Sequence, residues 1–353
     1  MNRRVFSAVL AGLGAGLAGV AGMRLWESGG PVPTGPVPPS DLPFRRLGRT
    51  GLDVPILALG GHHLGLAGSE RNARRLVETA LEEGVRFFDT AESYQAGTSE
   101  RWLGSALRDV RSEVLLMSKT HSPRDRSAES ARAHLEGSLE RLGTDYLDVW
   151  QLHSTKSAED VDLAFRPGGA MEYIFEARER GLVRYVGVTG HVTPAAHVRA
   201  LEYWDEGWEF DTFQFPINPI DYHQNSFQRQ VVDAAVERDI GVIAMKTSAD
   251  GALVREGVCT HEQCLRYVWS LPISVAVVGM ERPDLVRTNA AVARAGPFMD
   301  DTERQALRER ILPRADPGLE WYKSCLLYTS PSPRDGETHR VCRLLLEKRG
   351  GGG

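Results

Sequence analysis

The chain has 353 residues, 42% of them hydrophobic and 25% charged, with a formal net charge of −5. That size suits one large globular domain or two small ones, and the mild acidity without any basic, aromatic-interleaved block argues against a nucleic-acid partner. Of the four cysteines, Cys259 and Cys264 are expected on one helix, five residues apart and on different sides of it. A disulfide between them is therefore not expected, and no Cys/His spacing suggests a structural metal.

In chain order, residues 1–26 read as a signal or anchor segment. Arg3 and Arg4 precede a Gly- and Ala-rich apolar run from Val5. So much glycine makes a poor membrane helix, which favours a signal. The pair Arg3-Arg4 followed by Val5-Phe6 resembles the bacterial twin-arginine export signal. That resemblance implies a periplasmic or exported protein that folds before it crosses; a cytoplasmic or inner-membrane-anchored protein is the alternative. Residues 27–42 form a linker, because Gly29, Gly30, Pro31, Pro33, Gly35, Pro36, Pro38 and Pro39 cannot hold a helix or a central strand.

The folded domain is placed at 43–323. Gly48-Arg49-Thr50-Gly51 reads as the turn of a small hairpin. The pattern then predicts helices over 70–83, 99–110, 127–142, 170–180, 194–203, 226–238, 260–270 and 283–295. Between them, strands are predicted over 56–59, 87–90, 114–119, 147–153, 186–189, 212–215, 242–245 and 275–278. Continuous Val, Ile and Leu runs joined by helices mark parallel strands covered on both faces. Their ends recur at intervals of roughly 25–35 residues, one βα unit each. The fold class is α/β, a (β/α)8 TIM barrel with a short N-terminal β-hairpin. An open doubly wound sheet would require a Gly-x-Gly-x-x-Gly turn, which Leu57-Ala58-Leu59-Gly60-Gly61 does not supply. Residues 324–353 are read as a non-native disordered tail. The run from Cys325 to Asp335 resembles the translation of a transposase adapter used to prepare sequencing libraries.

A barrel carries its chemistry at the C-terminal ends of its strands. Asp89, Lys119 and His153 close the second, third and fourth strands, and Tyr94 follows the second by one loop. The group suits carbonyl reduction. Hydride reaching a carbonyl carbon leaves charge on oxygen that needs a proton, and a phenol can give it. The phenol's pKa, near 10 in water, is lowered by a neighbouring cation such as Lys119. Asp89 would orient Lys119, and His153 would donate to the substrate oxygen. Other assignments stay open on residues alone. A metal-dependent barrel hydrolase would draw on His62, His63, Asp89, His153 and His191, although His62 and His63 would face opposite ways on a strand. A cofactor-binding regulatory or redox-sensing subunit with little turnover is a further alternative.

Phe88-Asp89-Thr90-Ala91-Glu92-Ser93-Tyr94, then Ser99-Glu100 and Leu103-Gly104, resembles the signature of the aldo-keto reductases. So do Met117-Ser118-Lys119, the stretch 148–153 and the stretch 181–189. The likeness spans residues 44–295. It implies the barrel fold, the tetrad on Asp89, Tyr94, Lys119 and His153, and an NAD(P)H-dependent reversible reduction of an aldehyde or ketone. It further implies NADPH, with NADH as the alternative, and no metal. The cofactor positions it implies are Thr189, Gln214, Met245, Lys246, Gly279, Met280 and Asn289. Gly190 stands where Asn is usual, and Gly279 and Leu285 stand where basic residues are usual, so Arg282 or Arg287 would have to compensate. Gln95 stands where Gly usually follows the Tyr. The partner is a small carbonyl substrate and the protein a monomer.

Overall fold

The computed structural model describes residues 38–120, 125–296 and 298–324. The proposed export segment with Arg3 and Arg4, and the tail from Cys325, lie outside them.

The hairpin pairs β1 (Phe44–Arg46) with β2 (Asp53–Pro55) in antiparallel register. Its turn needs glycine at Gly48, where φ is +49° and a Cβ would stand 2.2 Å from the Gly241 nitrogen. Eight parallel strands follow: β3 (Leu57–Gly60), β4 (Phe87–Asp89), β5 (Leu115–Thr120), β6 (Leu147–Leu152), β7 (Val183–Thr189), β8 (Thr212–Pro216), β9 (Gly241–Met245) and β10 (Val275–Gly279). They pair in sequence and β10 closes on β3, a complete barrel. Closure leaves no open strand edge in the barrel.

The barrel helices are α2 (Glu70–Glu82), α3 (Thr98–Leu107), α4 (Ala128–Leu142), α6 (Ala170–Glu179), α7 (Pro194–Asp205), α8 (Asp233–Glu237), α10 (His261–Trp269) and α11 (Pro283–Arg294). Each matches an expected helix. The segment expected as a helix over 226–238 opens with a π-helical turn over residues 228–232 before α8. Shorter elements decorate this frame: α1 (Gly61–Leu64), α5 (Ala158–Phe165), α9 (Ala252–Arg255), α12 (Asp301–Ile311) and α13 (Trp321–Ser324). Among the described residues no helix is long and apolar enough to cross a membrane.

Strand alternation sorts the side chains into two cores. Outward residues such as Phe88, Leu116, Trp150 and Val186 pack under the helices. Inward residues Ala58, Phe87, Leu115, Met117, Val149, Ile243, Val275 and Val277 fill the barrel, and Leu47, Leu52 and Val54 of the hairpin plug its lower end. The next inward position on β4 after Phe87 is Asp89, and on β5 after Met117 it is Lys119. The same two-residue period that fills the barrel with apolar groups therefore delivers these two charges to its upper mouth.

Trp204, Trp208 and Phe165 serve packing. Phe165 stacks on Tyr203 at 4.4 Å and meets Trp208 at 5.5 Å, edge to face. Cys259 lies one residue before Thr260, the N-cap of α10, so the expectation that both cysteines sit on the helix fails. Residues at these two positions, before the cap and at the fourth helical place, face each other. The Cys259 and Cys264 thiols are accordingly in hydrogen-bonding contact, both free and buried.

His197 on α7 is fully buried among Phe213, Phe215 and Phe227, with ring centroids 5.0, 5.2 and 5.4 Å away. Burial holds its imidazole down from 6.5 to about 3. The unfolded chain therefore takes up a proton that the folded protein refuses between those values. Stability is expected to fall with pH below about 6.5, by about 1.4 kcal/mol per unit from this group. Denaturant unfolding of His197→Phe across that range should show the slope reduced by that amount; an unchanged slope would clear His197 of the effect.

Candidate active site

Asp89, Tyr94, Lys119 and His153 meet at the upper mouth of the barrel. Lys119, 1% exposed, donates to the Asp89 carboxylate and, at 2.7 Å, to the Thr90 carbonyl. Burial pushes the Asp89 carboxyl up and the Lys119 ammonium down, and the charge of each opposes the shift of the other. The ammonium lies 5.2 Å from the centre of the Tyr94 ring, a cation–π distance. His153 meets that ring edge to face, with centroids 5.9 Å apart.

Tyr94 sits in a loop, yet its backbone is pinned. Its N–H donates to Ala91, and its carbonyl accepts from Gly97 and Ser99 at 3.1 and 3.4 Å. The turn that follows is left-handed at Gln95, Ala96 and Gly97, with φ of +48°, +52° and +79°. Gln95 thus holds the backbone shape that a glycine would take at lower cost, about 1–2 kcal/mol lower. Ser99 then ties the start of α3 to the residues that directly follow β3 and β4, donating to the Gly61 carbonyl at 2.7 Å and bonding the Thr90 hydroxyl at 2.9 Å.

These four residues open into a cleft of about 2530 Å³, which is also lined by Thr189, Gln214, Met245, Lys246, Gly279 and Asn289. Gln214 hydrogen-bonds Asp89, while its side-chain oxygen is buried without a partner. Asn289 pairs its oxygen with His261 at 3.0 Å and leaves its amide nitrogen buried without one. Buried amide atoms without a partner beside a cleft call for an explanation, and a ligand or a water in the cleft would supply one. Beyond β9 the backbone is left-handed at Lys246, Ala249, Asp250 and Gly251. Left-handed residues in such turns shape concave, anion-accepting backbone.

The family pattern of the aldo/keto reductases matches residues 56–264. The chain belongs to the aldo/keto reductase family. It is an oxidoreductase of the NAD(P)H-dependent kind. It is 29% identical over 229 residues to the Bacillus subtilis (strain 168) "Uncharacterized oxidoreductase YrpG", covering 60% of this chain and 68% of that one. It is 29% identical over 232 residues to 6-dehydroglucose reductase of Novosphingobium aromaticivorans, covering 62% and 72% respectively. The solved holo form of an aldo-keto reductase from Bacillus halodurans superposes with a TM-score of 0.65 over 76% of this chain and 96% of that one. At 23% identity that likeness speaks for the fold.

Several expectations for the reductase need correction. Met280 is fully buried in the core under the helices and is not among the residues that line the cleft. Arg282 and Arg287, expected to compensate for Gly279 and Leu285, are not among the residues that line the cleft. Arg282 is held by both carboxylate oxygens of Asp284 at 3.0 Å, and Arg287 lies 4.0 and 3.9 Å from Glu82 and Glu83. Gly190 has no room for the usual Asn, because a Cβ there would stand 2.4 Å from the Thr155 carbonyl. His62 and His63 lie on α1, a helical turn rather than a strand, so both face the cleft. The His62 ring lies 5.3 Å from Tyr94, while His63 fills the space above Gly279 and reaches Glu281 at 3.7 Å. Among the described residues no three His, Cys, Asp or Glu groups converge as a metal site.

The sequence reading missed Arg126. This 4%-exposed residue donates to the His153 and Ser154 carbonyls at 2.8 and 3.2 Å and pairs with Asp160. It fixes the strand end that carries His153. The available signal was Ser157-x-x-Asp160, a helix start with acid in its first turn, which would have placed α5 and its counter-charge.

Proposed function

We propose that this reductase reduces an aldehyde or ketone to the alcohol, reversibly, with Tyr94 as proton donor. The observation that carries the proposal is the convergence of the Tyr94 ring on a sealed Lys119–Asp89 pair, with His153 across the cleft. Bound NAD(P)H supplies hydride to the carbonyl carbon. Lys119 stabilises the phenolate left behind, Asp89 holds Lys119 in place, and His153 donates to the substrate oxygen as charge builds on it.

The cleft residues fit such a cofactor. Thr189 and the unpaired Gln214 oxygen suit its carboxamide, and Met245 suits the face of its ring. The loop 246–252 with Lys246 suits its diphosphate, and Gly279 and Asn289 suit its adenosine end. NADPH is the expected form and NADH the alternative. Fluorescence titration with both, followed by turnover of a simple aldehyde, tests the reading. Saturable binding with turnover supports it. Binding without turnover would favour a regulatory or redox-sensing subunit, and no binding of either nucleotide would sink it.

A further inference from the structure

We propose that Cys259 and Cys264 are an oxidation site that hydrogen peroxide closes into a disulfide, and that closing it weakens cofactor binding. The second half rests on reading the cleft as the site of NAD(P)H; the first half does not. The two thiols are neighbours by the geometry of the helix start. Thr260 caps α10 and exchanges hydrogen bonds with Gln263, both at 3.1 Å. Such a start sets the residue before the cap against the fourth helical residue, here Cys259 against Cys264. Apolar side chains suffice for that contact, so a pair of thiols adds chemistry that packing does not require.

The pair is asymmetric. Cys259 lies just ahead of the helix N-terminus and is 5% exposed, whereas Cys264 is inside the helix and 0% exposed. Two guanidiniums are fixed on either side of Cys259. Arg310 donates to the Val258 carbonyl at 3.1 Å and to the Gln263 side chain at 3.2 Å. Arg314 holds the Glu256 and Gly257 carbonyls at 2.6 and 3.0 Å. A helix N-terminus and nearby arginines favour a thiolate. The Cys259 thiol is held below its ordinary value, first by the hydrogen bond with Cys264 and then by Arg310 and Arg314, while Cys264 is pushed up. Cys259 is thus the nucleophile and Cys264 the resolving thiol. The Cys259 thiolate attacks one oxygen of hydrogen peroxide and expels hydroxide, giving a sulfenic acid. The Cys264 sulfur then displaces that hydroxyl, which leaves as water with the Cys264 proton. One peroxide is reduced as two thiols become one disulfide.

To bond, the two sulfurs must draw together to about 2.05 Å. Cys264 is held in the helix, its N–H on the Thr260 carbonyl at 3.1 Å. The move therefore falls on Cys259, whose N–H only shares the Leu253 carbonyl with Val258. Val258 and His261, on either side of Cys259 and the cap, both line the cleft. His261 also holds the Asn289 oxygen at 3.0 Å. Oxidation thus reaches the wall proposed for the adenosine end of the cofactor.

The test is to treat the full chain with hydrogen peroxide, alkylate it and digest it with trypsin. The peptide 256–266 contains both thiols and no other cysteine. It should come out unalkylated and lighter by two hydrogens, and dithiothreitol should reverse this. NAD(P)H affinity should fall by about fivefold on oxidation and recover with dithiothreitol. Cys264→Ser should stop at the Cys259 sulfenic acid, which dimedone traps. Wild-type thiols that both remain alkylatable, or Cys259 carried on to a sulfinic acid, would overturn the site. A disulfide with unchanged affinity would overturn its link to the cleft. Reduced protein that binds neither nucleotide would overturn the cofactor reading and the second half with it, while the peptide still decides the first.

Discussion

Tyr94→Phe is expected to slow carbonyl reduction by about 10²–10⁴-fold, the range for losing a positioned general acid, with NAD(P)H affinity nearly unchanged. Only one oxygen is removed. The ring contacts with His62, His153 and Lys119 depend on the ring, which phenylalanine keeps. The backbone bonds that pin the loop on both sides of residue 94 are also kept. The residues proposed to hold the cofactor are Gln214, Asn289 and the loop after β9, not the Tyr94 hydroxyl. The variant should therefore titrate with NAD(P)H like wild type and fail at turnover. Reduction at close to the wild-type rate would remove Tyr94 from the mechanism and leave His153 or water to supply the proton.

What made this site legible was a coincidence of two periods. Apolar runs at intervals of one βα unit marked eight strands, and the alternation within each strand fixed which residue at its end turns inward. Asp89, Lys119 and Gln214 could be placed by that logic because long stretches of regular structure lead up to them. The rest depends on contacts that no local period encodes. Met280 was placed by the resemblance, whereas the alternation of β10, with Ala276 and Val278 facing outward, turns it into the core under the helices. His62 and His63 were assigned opposite directions by assuming a strand, and the chain had already turned into α1. Cys259 and Cys264 were kept apart by assuming that both sit on one helix, whereas α10 begins after the first of them. Arg126 reaches His153 only through a tertiary contact, and α12 announced itself only by its capping box, Asp300 with Glu303. The segment from Pro313 to Trp321 could not be assigned a place, yet it forms one wall of the cleft.

Lys119→Met should cost about 3–5 kcal/mol of folding stability at neutral pH and abolish reduction. The cost comes less from the lost bond than from what remains. Asp89 is 3% exposed, and without Lys119 its charge would keep only the Gln214 hydrogen bond as a partner. Its pKa, already raised by burial, would rise further above the unfolded value. The folded variant would then bind a proton that the unfolded chain does not, over the interval between those two values. The sign follows: the deficit is largest above the folded pKa and shrinks as pH falls toward the ordinary carboxylate range. Denaturant unfolding at neutral and mildly acidic pH measures it. Adding Asp89→Asn removes the stranded charge, so the double variant should regain most of the stability and none of the activity. That pattern separates the two duties of the pair. Stability requires only that neither charge be left alone in the barrel, whereas the proposed proton donation by Tyr94 requires the ammonium itself. A double variant that stayed as unstable as the single one would mean that the stranded Asp89 charge is not the source of the deficit.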